Sequence, residues 1–293
     1  MKLKFYGTRG SMPAPVPDTL LYGGNTTCIA LTGDAGERII LDGGSGIRVL
    51  GLELARRMPV ECSIFISHTH WDHIHGLPFF VPLFVAGNRI TILGPPDPLA
   101  MQGIENVLLT QLAYPHFPVR VAELKSSIAY ETLRDRQTVR VGSLTISAIL
   151  MNHPALCFGF RVQGGGKSLF FTGDHEPFGN IYAPGDPEYE EYAAIVRERN
   201  EGIVEFIRGV DLLVADSQYT DEEYKTKFGW GHSTFEQCIG MAKAAGIGRV
   251  CLTHHETTRT DAELSRIGEE LLRRHAGEDI EIRLAEEGAD IEI

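Results

Sequence analysis

The sequence predicts an α/β protein with residues 1–293 forming a single domain. Short apolar runs such as Ile64-Phe65-Ile66 and Leu169-Phe170-Phe171 alternate with segments whose apolar residues recur at helical spacing. Ligand-type residues run from His68 to His254 with no flexible linker between them. At 293 residues the chain is long enough to bury one sizeable core.

Composition narrows the class. Five cysteines stand singly among apolar residues, with no C-x-x-C pair, which fits reduced, buried thiols in a cytoplasmic protein. The N-terminal stretch lacks the apolar segment of a signal peptide, and Leu77 to Ala86 is broken as a membrane span by Pro78 and Pro82. No membrane partner is expected. A formal net charge of −12 disfavours wide contact with a nucleic-acid backbone. It leaves open a small phosphate ester held at a locally positive site. Nothing in the sequence fixes the oligomeric state, and a homo-oligomer is left open.

The elements follow in order. Leu3 and Phe5 mark a first strand running into the turn Gly7 to Ser11, and Pro13 to Pro17 reads as an irregular loop. Cys28 to Leu31 and Arg38 to Leu41 are two strands around the turn Gly33 to Gly36, the second delivering Asp42. Ile47, Leu50, Leu54 and Met58 form the buried stripe of a helix. Ile90 to Leu93 reads as a strand and Leu99 to Leu109 as a helix. Leu144 to Met151 and Ser168 to Thr172 are β-type runs that end just before His153 and Asp174. Glu176 to Tyr189 is a loop rich in Pro, Gly and acid, followed by a helix through Ile207; this segment, 176–208, either covers the pocket or only packs.

Asp211 to Ala215 is a strand ending at Asp216. Ser233 with Glu236 gives a capping box, so His232 falls at the positive end of a helix, a favourable place to meet an anion. Arg249 to Thr253 delivers His254 and His255; Thr260 with Glu263 caps another amphipathic helix, and residues 280–293 read as terminal strands.

The chemistry concentrates in Ser67-His68-Thr69-His70-Trp71-Asp72-His73, directly after the strand Ile64 to Ile66. Four potential metal ligands in six residues serve no purpose in a core, and each is costly to bury unpaired. His68 and His70 can aim at one ion, Asp72 and His73 at a second. Imidazole and carboxylate suit zinc, manganese or iron.

This H-x-H-x-D-H stretch after a strand resembles the signature of the metallo-β-lactamase fold. Further matches fall in chain order: Gly7 to Ser11, Gly23 to Thr26, Asp42 to Gly44, His153-Pro154, Gly173-Asp174, Asp216 to Thr220, Gly229 to Thr234 and Thr253 to His255. Together they resemble the phosphodiesterase branch, which holds ribonuclease Z and small cyclic-phosphate phosphodiesterases. The resemblance implies a four-layer αββα sandwich and two divalent metal ions. His68, His70, His153 and Asp174 would hold one ion, and Asp72, His73, Asp174 and His254 the other, with Asp174 bridging. It implies that His232, supported by Asp216, protonates the leaving oxygen, and Asp72 is counted with these catalytic residues. Asp42 would orient the metal-binding segment. Arg9 either binds a substrate phosphate or pins its own turn, and His255 is a candidate substrate contact.

The expected reaction is metal-dependent hydrolysis of a small, cyclic phosphodiester. A ribonuclease-Z-like nuclease is the first alternative. It is weakened because the interval from His153 to Asp174 is too short for the long tRNA-gripping arm of that family. A metal-centred sensor without turnover is the second, and His232 argues against it because a pure binder needs no proton donor.

Overall fold

The computed structural model describes residues 1–293. The strands are β1 (Lys2–Gly7), β2 (Cys28–Thr32), β3 (Arg38–Leu41), β4 (Glu61–Phe65), β5 (Arg89–Gly94), β6 (Ser127–Thr132), β7 (Thr138–Val141), β8 (Leu144–Met151), β9 (Cys157–Gly164), β10 (Lys167–Phe171), β11 (Leu212–Asp216), β12 (Arg249–Thr253), β13 (Glu281–Leu284) and β14 (Asp290–Glu292). The helices are α1 (Gly46–Leu54), α2 (Trp71–Ile74), α3 (Ile104–Gln111), α4 (Tyr189–Ile207), α5 (Asp221–Tyr224), α6 (Phe235–Ala244) and α7 (Asp261–Arg274).

Two mixed seven-stranded sheets form, in the orders β14-β1-β2-β3-β4-β5-β6 and β13-β12-β11-β10-β9-β8-β7. Their central strands are apolar on both faces, which explains the continuous hydrophobic runs, while the edge strands β6, β7, β13 and β14 are partly exposed. Along β11, Leu212 and Val214 enter the core between the sheets while Leu213 and Ala215 point outward under helices. Along β3, Ile39 and Leu41 face inward and Ile40 outward. The inner core holds Phe5, Phe65, Phe160 and Phe171. One outer core lies with Ile47, Leu50 and Leu54 of α1, the other with Ile203 and Ile207 of α4, Ile239 of α6 and Leu264 of α7. Helix, sheet, sheet, helix: the architecture is an αββα sandwich.

Three local expectations shift. The first helix stops at Leu54 and passes through a 3-10 turn, Ala55–Arg57, leaving Met58 extended. Pro59 follows, and the residue before a proline is driven out of the helical region. The helix expected from Leu99 begins at Ile104, because the Asp97 carboxylate accepts the backbone N–H groups of Leu99 (2.8 Å) and Ala100 (3.0 Å) and forms a turn instead. The cap of α6 is Thr234, paired reciprocally with Gln237; the Ser233 hydroxyl donates to the carbonyl of His175 at 2.6 Å. Both registers satisfy the capping pattern, and the prior claim on Ser233 selects the later one.

Candidate metal centre

Parallel pairing brings the strand ends to one rim. β3 and β4 run parallel and carry Asp42 and the His loop at their C-terminal ends; β10, β11 and β12 run parallel in the other sheet and carry Asp174, Asp216 and His254. The turn after β1 closes over them. The Gly10 N–H donates to the His255 carbonyl (3.0 Å), and a Cβ at Gly10 would lie 2.4 Å from Cε1 of His254, so only glycine fits.

Three groups of four ligand atoms form, each within 4.8 Å of one another: His68, His70, His153 and Asp174; Asp72, His73, Asp174 and His254; and Asp174, Asp216, His232 and His254. Asp174 belongs to all three, and the first two are the sets the resemblance implies. Its Oδ2 lies 3.5 Å from Nε2 of His68 and 3.9 Å from Nε2 of His153, and its Oδ1 lies 3.2 Å from Nε2 of both His73 and His254. Oδ2 of Asp72 lies 3.2 Å from Nε2 of His73 and 3.3 Å from Nε2 of His254.

Far ring nitrogens are held from behind at His73 and His153. His73 Nδ1 meets Oδ2 of Asp42 at 2.8 Å and His153 Nδ1 donates to the Gly231 carbonyl at 2.9 Å, while His254 Nδ1 lies 3.4 Å from Oδ1 of Asp216 without a hydrogen bond between them. Asp42 also accepts from the backbone N–H (2.6 Å) and hydroxyl (2.8 Å) of Ser67. A proton held on Nδ1 leaves the Nε2 lone pair aimed at the cluster.

The fit to cations rests on orphaned atoms. Nε2 of His68 and of His73 and Oδ1 of Asp174 are buried without any hydrogen-bond partner. Such groups are rarely left unsatisfied, and lone pairs converging on one point are what a divalent cation satisfies. The residues present therefore fit divalent cations, with Asp174 common to the donor groups.

Electrostatics agree. Burial works against ionisation of Asp174 but is outweighed by His254, His73 and His68, which hold its carboxyl well below the usual range. Burial likewise opposes a charge on His254, yet Asp174 and Asp216 raise the ring to about 10, so without a cation it carries a second proton that a bound ion would displace. His68, buried among other imidazoles, is pushed well down by that burial first and by His73 next. The carboxylates thus stay ionised and His68 stays neutral, the forms in which both act as ligands.

His232 stands beside the second group. Its Nδ1 is 2.9 Å from Oδ2 of Asp216, and its ring stacks on His254 with centroids 5.0 Å apart. Asp216 also accepts the His175 backbone N–H at 3.0 Å. The short aspartate side chain thus reaches the histidine directly.

Two expected substrate contacts lie elsewhere. Arg9 is fully buried; Nε donates to the Gly23 carbonyl (2.7 Å) and Nη1 to the carbonyls of Glu256 (3.0 Å) and Arg259 (2.7 Å). It pins its turn and is out of reach of a phosphate. His255 is also fully buried, with Nε2 on the Ala285 carbonyl at 2.9 Å and its ring edge-on to Tyr22. Adjacent residues in the chain point apart, so His254 faces the cluster and His255 the core. The segment 176–208 divides: α4 packs Ile203 and Ile207 into the outer core, and the loop before it reaches His153's side of the site. Sequence reasoning missed Ser11, whose backbone N–H donates to Oδ2 of Asp72 at 2.7 Å, and Glu176, described below. No side-chain pattern announces a backbone donor.

A sequence profile described as "Beta-lactamase superfamily domain" matches residues 37–255, well over half of the chain. The chain belongs to the beta-lactamase superfamily. Within this superfamily it is 24% identical to ribonuclease Z of Staphylococcus aureus strain MSSA476, over 93% of this chain and 94% of that protein. Among solved structures, the metallo-beta-lactamase fold protein YhfI from Bacillus subtilis is similar at 19% identity and a TM-score of 0.67, covering 99% of each chain. The short form of human tRNase Z is similar at 21% identity and a TM-score of 0.63, covering 100% of this chain and 99% of that one. A diphosphatase of the PhnP family gives 17% identity and a TM-score of 0.63, covering 100% and 97%. The protein is thus a superfamily hydrolase related to ribonuclease Z, on the metallo-β-lactamase fold, with His and Asp clusters able to bind metal. No helix is long and apolar enough to cross a membrane.

Proposed function

We propose that this protein is a dinuclear, metal-dependent phosphodiesterase whose substrate is small, a cyclic nucleotide or cyclic phosphate. The observation that carries the reading is the shared Asp174, whose two oxygens face two different histidine groups. Two divalent ions held there, zinc for preference with manganese or iron fitting the same donors, supply Lewis acidity toward the phosphoryl oxygens and lower the pKa of an attacking water. The chain's own residues do the rest. His232, with Nδ1 on Asp216, keeps Nε2 to hold a proton for the departing alkoxide. Asp216 fixes the tautomer and steadies the charged ring. Asp72, oriented by the Ser11 N–H, keeps its Oδ2 between His73 and His254.

Small size is favoured by the span between His153 and Asp174, which holds only the β9–β10 hairpin, and by the net charge of −12. The ribonuclease-Z-like reading keeps one support, the match to that enzyme along nearly its whole length. Protein loaded with zinc or manganese should hydrolyse bis-p-nitrophenyl phosphate, and should prefer cyclic nucleotides over a tRNA precursor. Turnover of the precursor alone would establish the nuclease. Failure on every diester, in wild type and His232→Ala alike, would leave a metal-centred sensor.

A further inference from the structure

The segment that follows α5 has no regular structure until α6 begins, yet it carries His232 and, at Gly231, the carbonyl that receives Nδ1 of His153. Glu176 holds its backbone N–H groups at Gly229 and Gly231. This glutamate, two residues past Asp174 and only 3% exposed, accepts three hydrogen bonds, two from this segment and one from Tyr224 at the end of α5. Its Oε1 takes the Gly229 N–H at 2.8 Å and the Tyr224 hydroxyl at 2.6 Å; its Oε2 takes the Gly231 N–H at 2.7 Å. Gly229 and Gly231 both have positive φ, 84° and 90°, a conformation that turns two amides of one short loop toward a single carboxylate.

The clamp couples the two sides of the site. A Cβ at Gly231 would stand 2.3 Å from Cδ of Pro154 and 2.4 Å from Nδ1 of His153, so the loop lies directly against the ligand histidine. His232, the next residue, then has two fixed points: Asp216, from β11, sets the ring, and Glu176, from the loop after β10, sets the backbone. Both Glu176 oxygens are engaged in holding this loop and the end of α5.

We propose that Glu176 is a positioning residue that fixes the backbone of His232 against His153; its kinetic consequence rests on the phosphodiesterase reading above. Charge-assisted bonds from two amides and a phenol are short and strong, and a displacement of about 1 Å in a proton donor costs on the order of 100-fold in rate.

The test uses the full chain, metal-loaded, as wild type, Glu176→Gln, Tyr224→Phe and Glu176→Gln/His232→Ala, at matched metal content. Glutamine keeps the volume but sets an amide N–H₂ against one of the two glycine donors. Hydrogen exchange over residues 225–232 should speed at least tenfold in Glu176→Gln, with β10 and β11 unchanged; an unaltered rate there overturns the clamp. Kinetics then compare methyl p-nitrophenyl phosphate, whose p-nitrophenolate leaves without a proton, with a cyclic nucleotide, whose alkoxide needs one. Glu176→Gln should lose at least ten times more kcat on the cyclic ester, with KM within threefold, and Tyr224→Phe should show the same bias more weakly. The double variant should be no slower than His232→Ala alone. Equal losses on both esters, or additive losses in the double variant, overturn the positioning role. If wild type turns over neither ester, the phosphodiesterase reading fails by itself and the exchange measurement alone decides the clamp.

Discussion

Oδ2 of Asp42 lies 2.8 Å from Nδ1 of His73, and neither side chain has any exposure. The pair sits at the junction of β3 and the His loop, where Asp42 also holds Ser67 by its N–H and its hydroxyl. Burial alone raises the Asp42 carboxyl, and His73 and Ser67 only partly offset it, so its place depends on a histidine that must stay put. Asp42→Asn keeps the shape and loses the charge that orients the ring. Cation affinity, measured by competition with a chelator, should fall by about 10–100-fold. Unchanged affinity would mean that Asp42 serves the turn alone.

The His232–Asp216 pair predicts a loss that depends on the leaving group. His232→Ala should lower kcat on a cyclic nucleotide by about 10²–10⁴-fold, the usual worth of a general acid. Asp216→Ala should lose a similar amount, and the double variant little more, because the two act as one unit. Steady-state rates of the three variants check this; independent, multiplying losses would separate the two residues.

Arg9 predicts a stability effect in place of a binding effect. Arg9→Met would strand two buried carbonyls and one half-buried one, at about 1–3 kcal/mol for each buried group left unsatisfied. Denaturant unfolding should show a loss of at least about 3 kcal/mol. A raised KM at unchanged stability would restore the substrate-binding role expected from the sequence.

That reversal shows where sequence reading works and where it stops. The strand ends were legible because a strand buried on both faces is a continuous apolar run, and the polar residue that breaks it is placed at the sheet's rim. His68, Asp174, Asp216 and His254 all follow such runs, so their meeting could be anticipated. Arg9 and His255 share the same rim in sequence, but their direction depends on which carbonyls the neighbouring turns leave open, and no periodicity encodes that. The cap of α6 turned on a competitor for the Ser233 hydroxyl that lies 58 positions away in the chain. Glu176 was invisible for a related reason: two of its three partners are glycine amides, which leave no side-chain signature, and the third, Tyr224, lies 48 positions away.

Removing the cations should destabilise the fold, and the sign follows from what surrounds them. Asp72, Asp174, Asp216 and Asp42 are all buried at the rim, and the Nε2 atoms of His68 and His73 have no other partner. A ligand that binds only the folded state stabilises it by RT ln(1 + [L]/Kd), about 2.7 kcal/mol at a hundredfold excess over Kd. Chelation should therefore lower the melting temperature, and zinc or manganese should restore it in a concentration-dependent way. Titration followed by calorimetry should saturate at two equivalents per chain, since the two donor groups share only Asp174. Saturation at one equivalent would mean that Asp174 serves a single ion, and a melting temperature indifferent to chelator would mean that neither group is a cation site.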